Sequence, residues 1–192
     1  PISRPATILS HSLGTLVSRY YIERLGGTGR IERAILMGGP HQGTVKALTS
    51  LLVAASVLPF GLLGERLRRV LMTFPSSYQI LPTYPCAMDQ HGTPINFLED
   101  ESWVEERHLP LLRAAREFRR ELGMASSVPT LSIFGYGLKT LAGLTIQRHN
   151  GTFSDVTYNS EPNGDSGVLV PSAVLPGSDI HPVQQYHGAL FV

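Results

Sequence analysis

The sequence predicts an α/β protein in which helices flank a parallel sheet, and three observations carry that reading. The first is a strand, turn, helix, strand succession near the start: ATIL, SHSLG, a helical stretch, then RAILMGGP. The second is a further apolar strand, VPTLSIFGYG, after a long and mostly helical middle. The third is composition, with 42% hydrophobic and 16% charged residues across 192 positions, long enough for one domain with a real core.

Taken in order, Pro5 precedes Ala6–Leu9, a short apolar run of the kind a buried strand needs. Leu13, Leu16, Val17, Tyr20 and Leu25 then recur near helical spacing, and Gly26–Gly27 ends the helix. Arg33–Pro40 is a second buried strand closed by turn residues. Two strands joined through a helix form a βαβ unit, whose strands run parallel. From His41 to about Ser127 the pattern is mostly helical, with irregular patches such as LPTYPCAMDQHGTP. Within it, LPLLRAAREFRREL sets Leu111, Ala115, Phe118 and Leu122 on one stripe with arginines opposite. Val128–Gly137 is the third strand, and LTIQ and DVTYN around RHNGTF are expected to pair as a hairpin. The Gly/Pro/Ser-rich tail SEPNGDSGVLVPSAVLPGSD reads as loop, and HPVQQYHGALFV as a turn and loop entering a final helix.

Several classes are disfavoured at once. A net charge of +1 gives no electrostatic case for nucleic acid. The single cysteine, Cys86, rules out an internal disulfide framework and a cysteine-based zinc site. His41, His91, His108 and His149 lack metal-ligand spacing, so no metal and no other cofactor is expected. The longest apolar stretch, Leu48–Gly64, is broken by Thr49, Ser50, Ser56, Pro59 and Gly61. It falls short of the about 20 apolar residues that cross a bilayer, and reads as a buried or lipid-touching segment.

The chemistry is concentrated in SHSLG. A serine hydroxyl attacks only when a base takes its proton and donors stabilise the oxyanion. A sharp strand-to-helix turn lifts the hydroxyl clear of the sheet and leaves the first helical N–H groups facing outward. Small residues two before and two after the serine suit such a turn. Ser10 and Gly14 stand there around Ser12, against the usual G-x-S-x-G. The competing reading is that Ser12 merely caps the helix. In folds with this turn the acid and then the histidine follow in the chain. Asp165 in NGDSG is the favoured acid over Asp155 and Asp179, and His187 in QYHGAL the favoured base over His181. His11, beside the serine, is read as a packed or hydrogen-bonded support for the turn rather than a base.

These residues resemble the lecithin:cholesterol acyltransferase-like branch of the α/β-hydrolases. ILSHSLGTLVSRYYIERLGG is similar to that family's elbow and following helix, and RAILMGGPHQGTVKAL to its next strand and G-x-P-[HWY]-x-G turn. RVLMTFPSSYQILP is similar to a cap-region signature, VPTLSIFGYGLKT to the strand before the acid, and NGDSGVLVPSA to the acid loop GDGTVP-x-x-SA. In that loop Gly167–Val168 replaces the usual Thr-Val, and one extra residue displaces Val170–Pro171.

The resemblance implies an α/β-hydrolase fold with a partial parallel sheet and a helical cap insertion. The elbow unit would occupy 1–40, the cap about 41–108, and a helix, a strand, the acid loop and the histidine loop about 109–192. It implies Ser12 as nucleophile, Asp165 as acid, His187 as base and the Leu13 N–H as an oxyanion donor. It further implies a serine esterase, lipase or O-acyltransferase acting on an acyl ester, with lipid substrates and transient contact with a membrane or lipid surface. The segment Leu48–Leu63 would line a cap over an acyl pocket, or form a plain core helix. The family's earlier strands and second oxyanion loop would lie upstream of Pro1. The chain is therefore expected to be the C-terminal part of a longer enzyme, inactive by itself. An amidase or peptidase using the same three residues, and a non-catalytic binding protein on this fold, are the alternatives.

Overall fold

Residues 4–53, 64–149 and 152–191 are described by a computed structural model. Their backbone falls into two compact units, one of Pro1–Gln42, Arg120–Leu141 and Glu161–Val192, the other of Gly43–Arg119 and Ala142–Ser160.

In the first unit, β1 (Ala6–His11), β2 (Ile31–Met37), β4 (Thr130–Gly135) and β7 (Asp179–Val183) form a sheet in the order β1-β2-β4-β7. Every pairing in it is parallel. Helix α1 (Leu13–Arg24) makes the crossover between β1 and β2, as the first forty residues predict. Parallel strands are buried on both faces, which is why β2 ends in a continuous apolar run. Ala34 and Leu36 of β2 are fully buried with Ile22 of α1, Val128 and Leu175. Phe134 of β4 packs with Val168 and Ala173, the latter in the short helix α6 (Val170–Ala173).

Arg19, on α1, is fully buried and donates to the carbonyl oxygens of Leu122, Gly123 and Ala125. Its burial lowers the guanidinium pKa to about 10, partly opposed by Glu23, so it stays charged at neutral pH. A buried cation spent on three carbonyls fixes the helix carrying the SHSLG turn from behind.

The Gly/Pro/Ser-rich tail is not all loop: Asp179–Val183 is β7, paired with Leu131–Gly135. Pro182 hid it: proline donates no hydrogen bond, but an edge strand tolerates it. Among the described residues His187 does not open a final helix either, since His187–Ala189 makes a 3₁₀ turn.

The second unit holds helices α2 (Val45–Leu52), α3 (Gly64–Leu71), α4 (Pro75–Gln79) and most of α5 (Leu109–Leu122). It also holds β3 (Ala87–Asp89) and most of β5 (Thr140–His149) and β6 (Thr152–Glu161), in a sheet ordered β3-β5-β6. β5 and β6 are the two arms of the expected hairpin. β3 lies inside the patch read as irregular, because three residues show no period until they meet Leu144–Ile146. Tyr78 of the PSSYQILP stretch is fully buried and its hydroxyl donates to the Met72 carbonyl, while burial pushes its pKa up to about 12. Leu112, rather than Leu111, joins Ala115 and Leu122 on the buried face of α5. Most of the Leu48–Leu63 expectation lies outside the described residues. Among those described, no helix is long and apolar enough to cross a membrane.

Glu101 receives a two-pronged hydrogen bond from Arg113, at 3.0 and 2.7 Å, and another from Arg116 at 2.8 Å. The Arg113 bond foremost, then that of Arg116, brings its carboxyl from 4.5 down to about 2. A carboxyl with a native pKa below its unfolded value stabilises the fold above the unfolded value and loses that contribution as pH falls through the native one. Glu101→Gln is therefore expected to be less stable than wild type above pH about 4.5, with the difference vanishing near pH 2. Urea midpoints measured across that window check it; a difference independent of pH would contradict it.

Candidate active site

The end of β1 builds the site. His11 closes the strand, and the Ser12 N–H extends the ladder by donating to the Met37 carbonyl at 2.9 Å. Ser12 then takes φ 54° and ψ −129°, a backbone region that side chains other than glycine rarely enter. Its carbonyl accepts from the Thr15 N–H at 3.0 Å and the Thr15 hydroxyl at 2.7 Å, which holds the turn. The Ser12 side chain makes no capping hydrogen bond, so the helix-cap reading does not describe it. Its Oγ lies 2.8 Å from His187 Nε2 instead. Leu13 is the first residue of α1, where an N–H has no acceptor within the helix. At Gly14 an added Cβ would come no nearer than 3.8 Å, to the Ser10 Cβ. That is ordinary van der Waals contact, so crowding does not by itself demand glycine at position 14.

Asp165 sits in a tight loop after β6 and is fully buried. Its Oδ1 accepts from the Gly167 and Val168 N–H groups at 2.9 and 2.7 Å, and its Oδ2 lies 2.8 Å from His187 Nδ1. The loop is held by the Ser166 N–H donating to the hydroxyl of buried Thr140 at 2.9 Å. Ser166 adopts φ 74°, in the left-handed region.

A carboxylate only accepts, so His187 Nδ1 carries the proton and Nε2 is left to accept from the Ser12 hydroxyl. The His187 backbone N–H also donates to the Asp165 carbonyl at 2.8 Å. Ser12, Asp165 and His187 are thereby brought together, although Ser12 and His187 are 175 residues apart. The rivals are placed otherwise. Asp179 and His181 are exposed on β7, and the exposed Asp155 on β6 accepts from its neighbour Val156. His181 had been expected in a turn and is a strand residue.

Sequence reading overlooked the glycines that make room. A Cβ on Gly135 would strike the Gln185 carbonyl and lie 2.5 Å from the Asp165 Cβ. A Cβ on Gly167 would lie 2.8 Å from Cγ of the His187 ring. Their signal was present in FGYG and DSG, but glycine in a turn reads first as punctuation. Gly167→Ala is expected to push the imidazole off Ser12 and slow reaction of the Ser12 hydroxyl with a fluorophosphonate probe by about 10²-fold, as small misplacements of reacting groups do. Labelling rates of the full-length variant check it; an unchanged rate would mean the ring has slack.

The GGPHQG turn has a structural part. The His41 N–H donates to the Ser172 carbonyl at 2.9 Å, and Gln42 bonds the Ser172 hydroxyl and the Pro171 carbonyl at 3.1 and 3.0 Å. It ties the loop after β2 to α6, directly beyond the acid loop. Cys86 is half-buried, and burial pushes its thiol up to about 11, away from reactivity. Among the described residues no three His, Cys, Asp or Glu side chains group as a metal site requires.

A parallel sheet with a serine at a strained strand-to-helix turn, and a carboxylate and imidazole supplied by later loops, defines the α/β-hydrolase fold. The family model of lecithin:cholesterol acyltransferase matches residues 3–163, and the chain belongs to that family. The match stops short of Asp165 and His187, whose placement therefore rests on geometry alone. Among solved structures, the crystal structure of the Tle4-Tli4 complex superposes with a TM-score of 0.67 at 13% identity. That superposition covers 98% of this chain and 55% of the other, so the chain spans about half the length of that neighbour. No curated protein sequence matches.

Proposed function

We propose that the full-length protein is a serine acyl-ester hydrolase or O-acyltransferase acting on lipids, with Ser12 as nucleophile, His187 as base and Asp165 as its orienting acid. The observation carrying this reading is the continuous hydrogen-bond path Ser12 Oγ–His187 Nε2, His187 Nδ1–Asp165 Oδ2, each link 2.8 Å. Membership of the lecithin:cholesterol acyltransferase family supports the ester and lipid part.

In this mechanism Ser12 Oγ attacks the acyl carbonyl while His187 Nε2 takes its proton. Asp165 Oδ2 accepts the hydrogen bond of the resulting imidazolium and stabilises its charge. The Leu13 N–H donates to the oxyanion. Collapse returns the proton from His187 to the leaving alcohol and leaves an acyl group on Ser12. His187 then deprotonates water or an acceptor alcohol, which releases the acyl group. Transient contact with a lipid surface would deliver the substrate.

A fluorophosphonate probe should form a covalent adduct on Ser12 of the full-length protein, located by peptide mass spectrometry. Matched substrates should be cleaved as esters well ahead of amides. Absence of the adduct overturns the nucleophile, and faster amide cleavage would make the protein an amidase.

A further inference from the structure

His11 was expected to brace the turn around Ser12, but its contacts lead elsewhere. Its Nε2 lies 2.8 Å from the backbone carbonyl oxygen of His187. A carbonyl only accepts, so Nε2 bears the proton and donates. The two imidazoles pack with centroids 4.8 Å apart, tilted by 41°, and Phe191 meets the other side of His11 edge-on at 5.2 Å.

His187 is further held by its backbone N–H and Nδ1 on Asp165 and by its Nε2 on Ser12. Its carbonyl belongs to the peptide leading into Gly188. That peptide opens the 3₁₀ turn His187–Ala189, so the His11 Nε2–H ties the turn that carries the ring to the end of β1. A shift of that turn would move the His187 Cα and carry the ring away from Ser12 Oγ.

We propose that His11 is a positioning residue for the acyl-transfer step: its Nε2–H anchors the His187 carbonyl, and through it the imidazole that serves Ser12. The inference rests on the function proposed above. It explains why a histidine stands immediately before the nucleophile. From the last position of β1, a side chain with a ring donor at its far end reaches the base's main chain while Ser12 reaches the base's ring.

The test uses three variants of the full-length protein. His11→Phe keeps a ring against His187 and Phe191 but loses the donor. His11→Gln places an amide N–H near the position of Nε2, and His11→Asn is one methylene too short. His11→Phe and His11→Asn are expected to lower kcat for a short soluble ester about tenfold, the effect of one hydrogen bond to a positioned group. KM should stay constant, fluorophosphonate labelling of Ser12 should slow in parallel, and His11→Gln should recover most of both rates. Wild-type rates in His11→Phe would overturn the proposal, as would His11→Gln being as slow as His11→Asn. The Gln and Asn pair decides the matter if the Phe variant does not fold. A wild-type protein unlabelled at Ser12 removes the proposed function and this inference together. Normal labelling with all three variants indifferent removes only the inference.

Discussion

Ser12→Ala in the full-length protein is expected to lower kcat for a short acyl ester by about 10⁵-fold or more. No other group takes over, because an acyl-enzyme requires an atom able to form and break an ester bond. The variant should still fold, since the Ser12 hydroxyl bonds His187 and caps no helix. A companion variant separates chemistry from architecture. Ser12 sits at φ 54°, a conformation that costs an alanine as much as a serine but a glycine very little. Ser12→Gly should therefore be equally inactive yet more stable than Ser12→Ala by about 1 kcal/mol. Equal melting temperatures would mean the turn holds no strain, and near-normal turnover in either variant would exclude Ser12 as nucleophile.

Asp165→Asn is expected to cost about 10⁴-fold in kcat with little loss of stability. The amide is the size of the carboxylate, and its oxygen can still accept from the Gly167 and Val168 N–H groups. Its NH₂ then faces His187 Nδ1, where Asp165 Oδ2 now accepts at 2.8 Å. Two donors cannot share that position, so the imidazole shifts its proton to Nε2 and can no longer accept from Ser12. Asp165→Ala should be worse in another way, because it also strips the loop of both main-chain hydrogen bonds and unfolds more readily. Kinetics paired with thermal melts distinguish the two. A fully active Asp165→Asn would mean that His187 draws its orientation from elsewhere.

The parts that were legible from residues alone are those governed by neighbours in the chain. A period of apolar residues from Leu13 to Leu25, closed by Gly26 and Gly27, makes a helix wherever it is placed. The small residues around Ser12 announce a turn between Ala6–His11 and Leu13–Arg24. Asp165 and His187 were reachable because chain order and loop composition restrict the choices. β3 and β7 were not legible, since each is short and owes its existence to a partner strand: Leu144–Ile146 for one, Leu131–Gly135 for the other. Gly135 reads as part of the third strand and Gly167 as part of the loop after Asp165, although what they make room for is Asp165 and His187.

Local sterics and apolar periodicity act over a few residues, and they are enough to specify the class of fold, the order of Ser12, Asp165 and His187 along the chain, and the turn that holds the serine. Which carboxylate and which imidazole meet Ser12, which nitrogen bears a proton, and that His11 bonds the His187 carbonyl follow from the assembled fold. The bonds from His187 to Ser12 and from His11 to His187 span 175 and 176 residues, and their geometry exists only once the sheet has assembled.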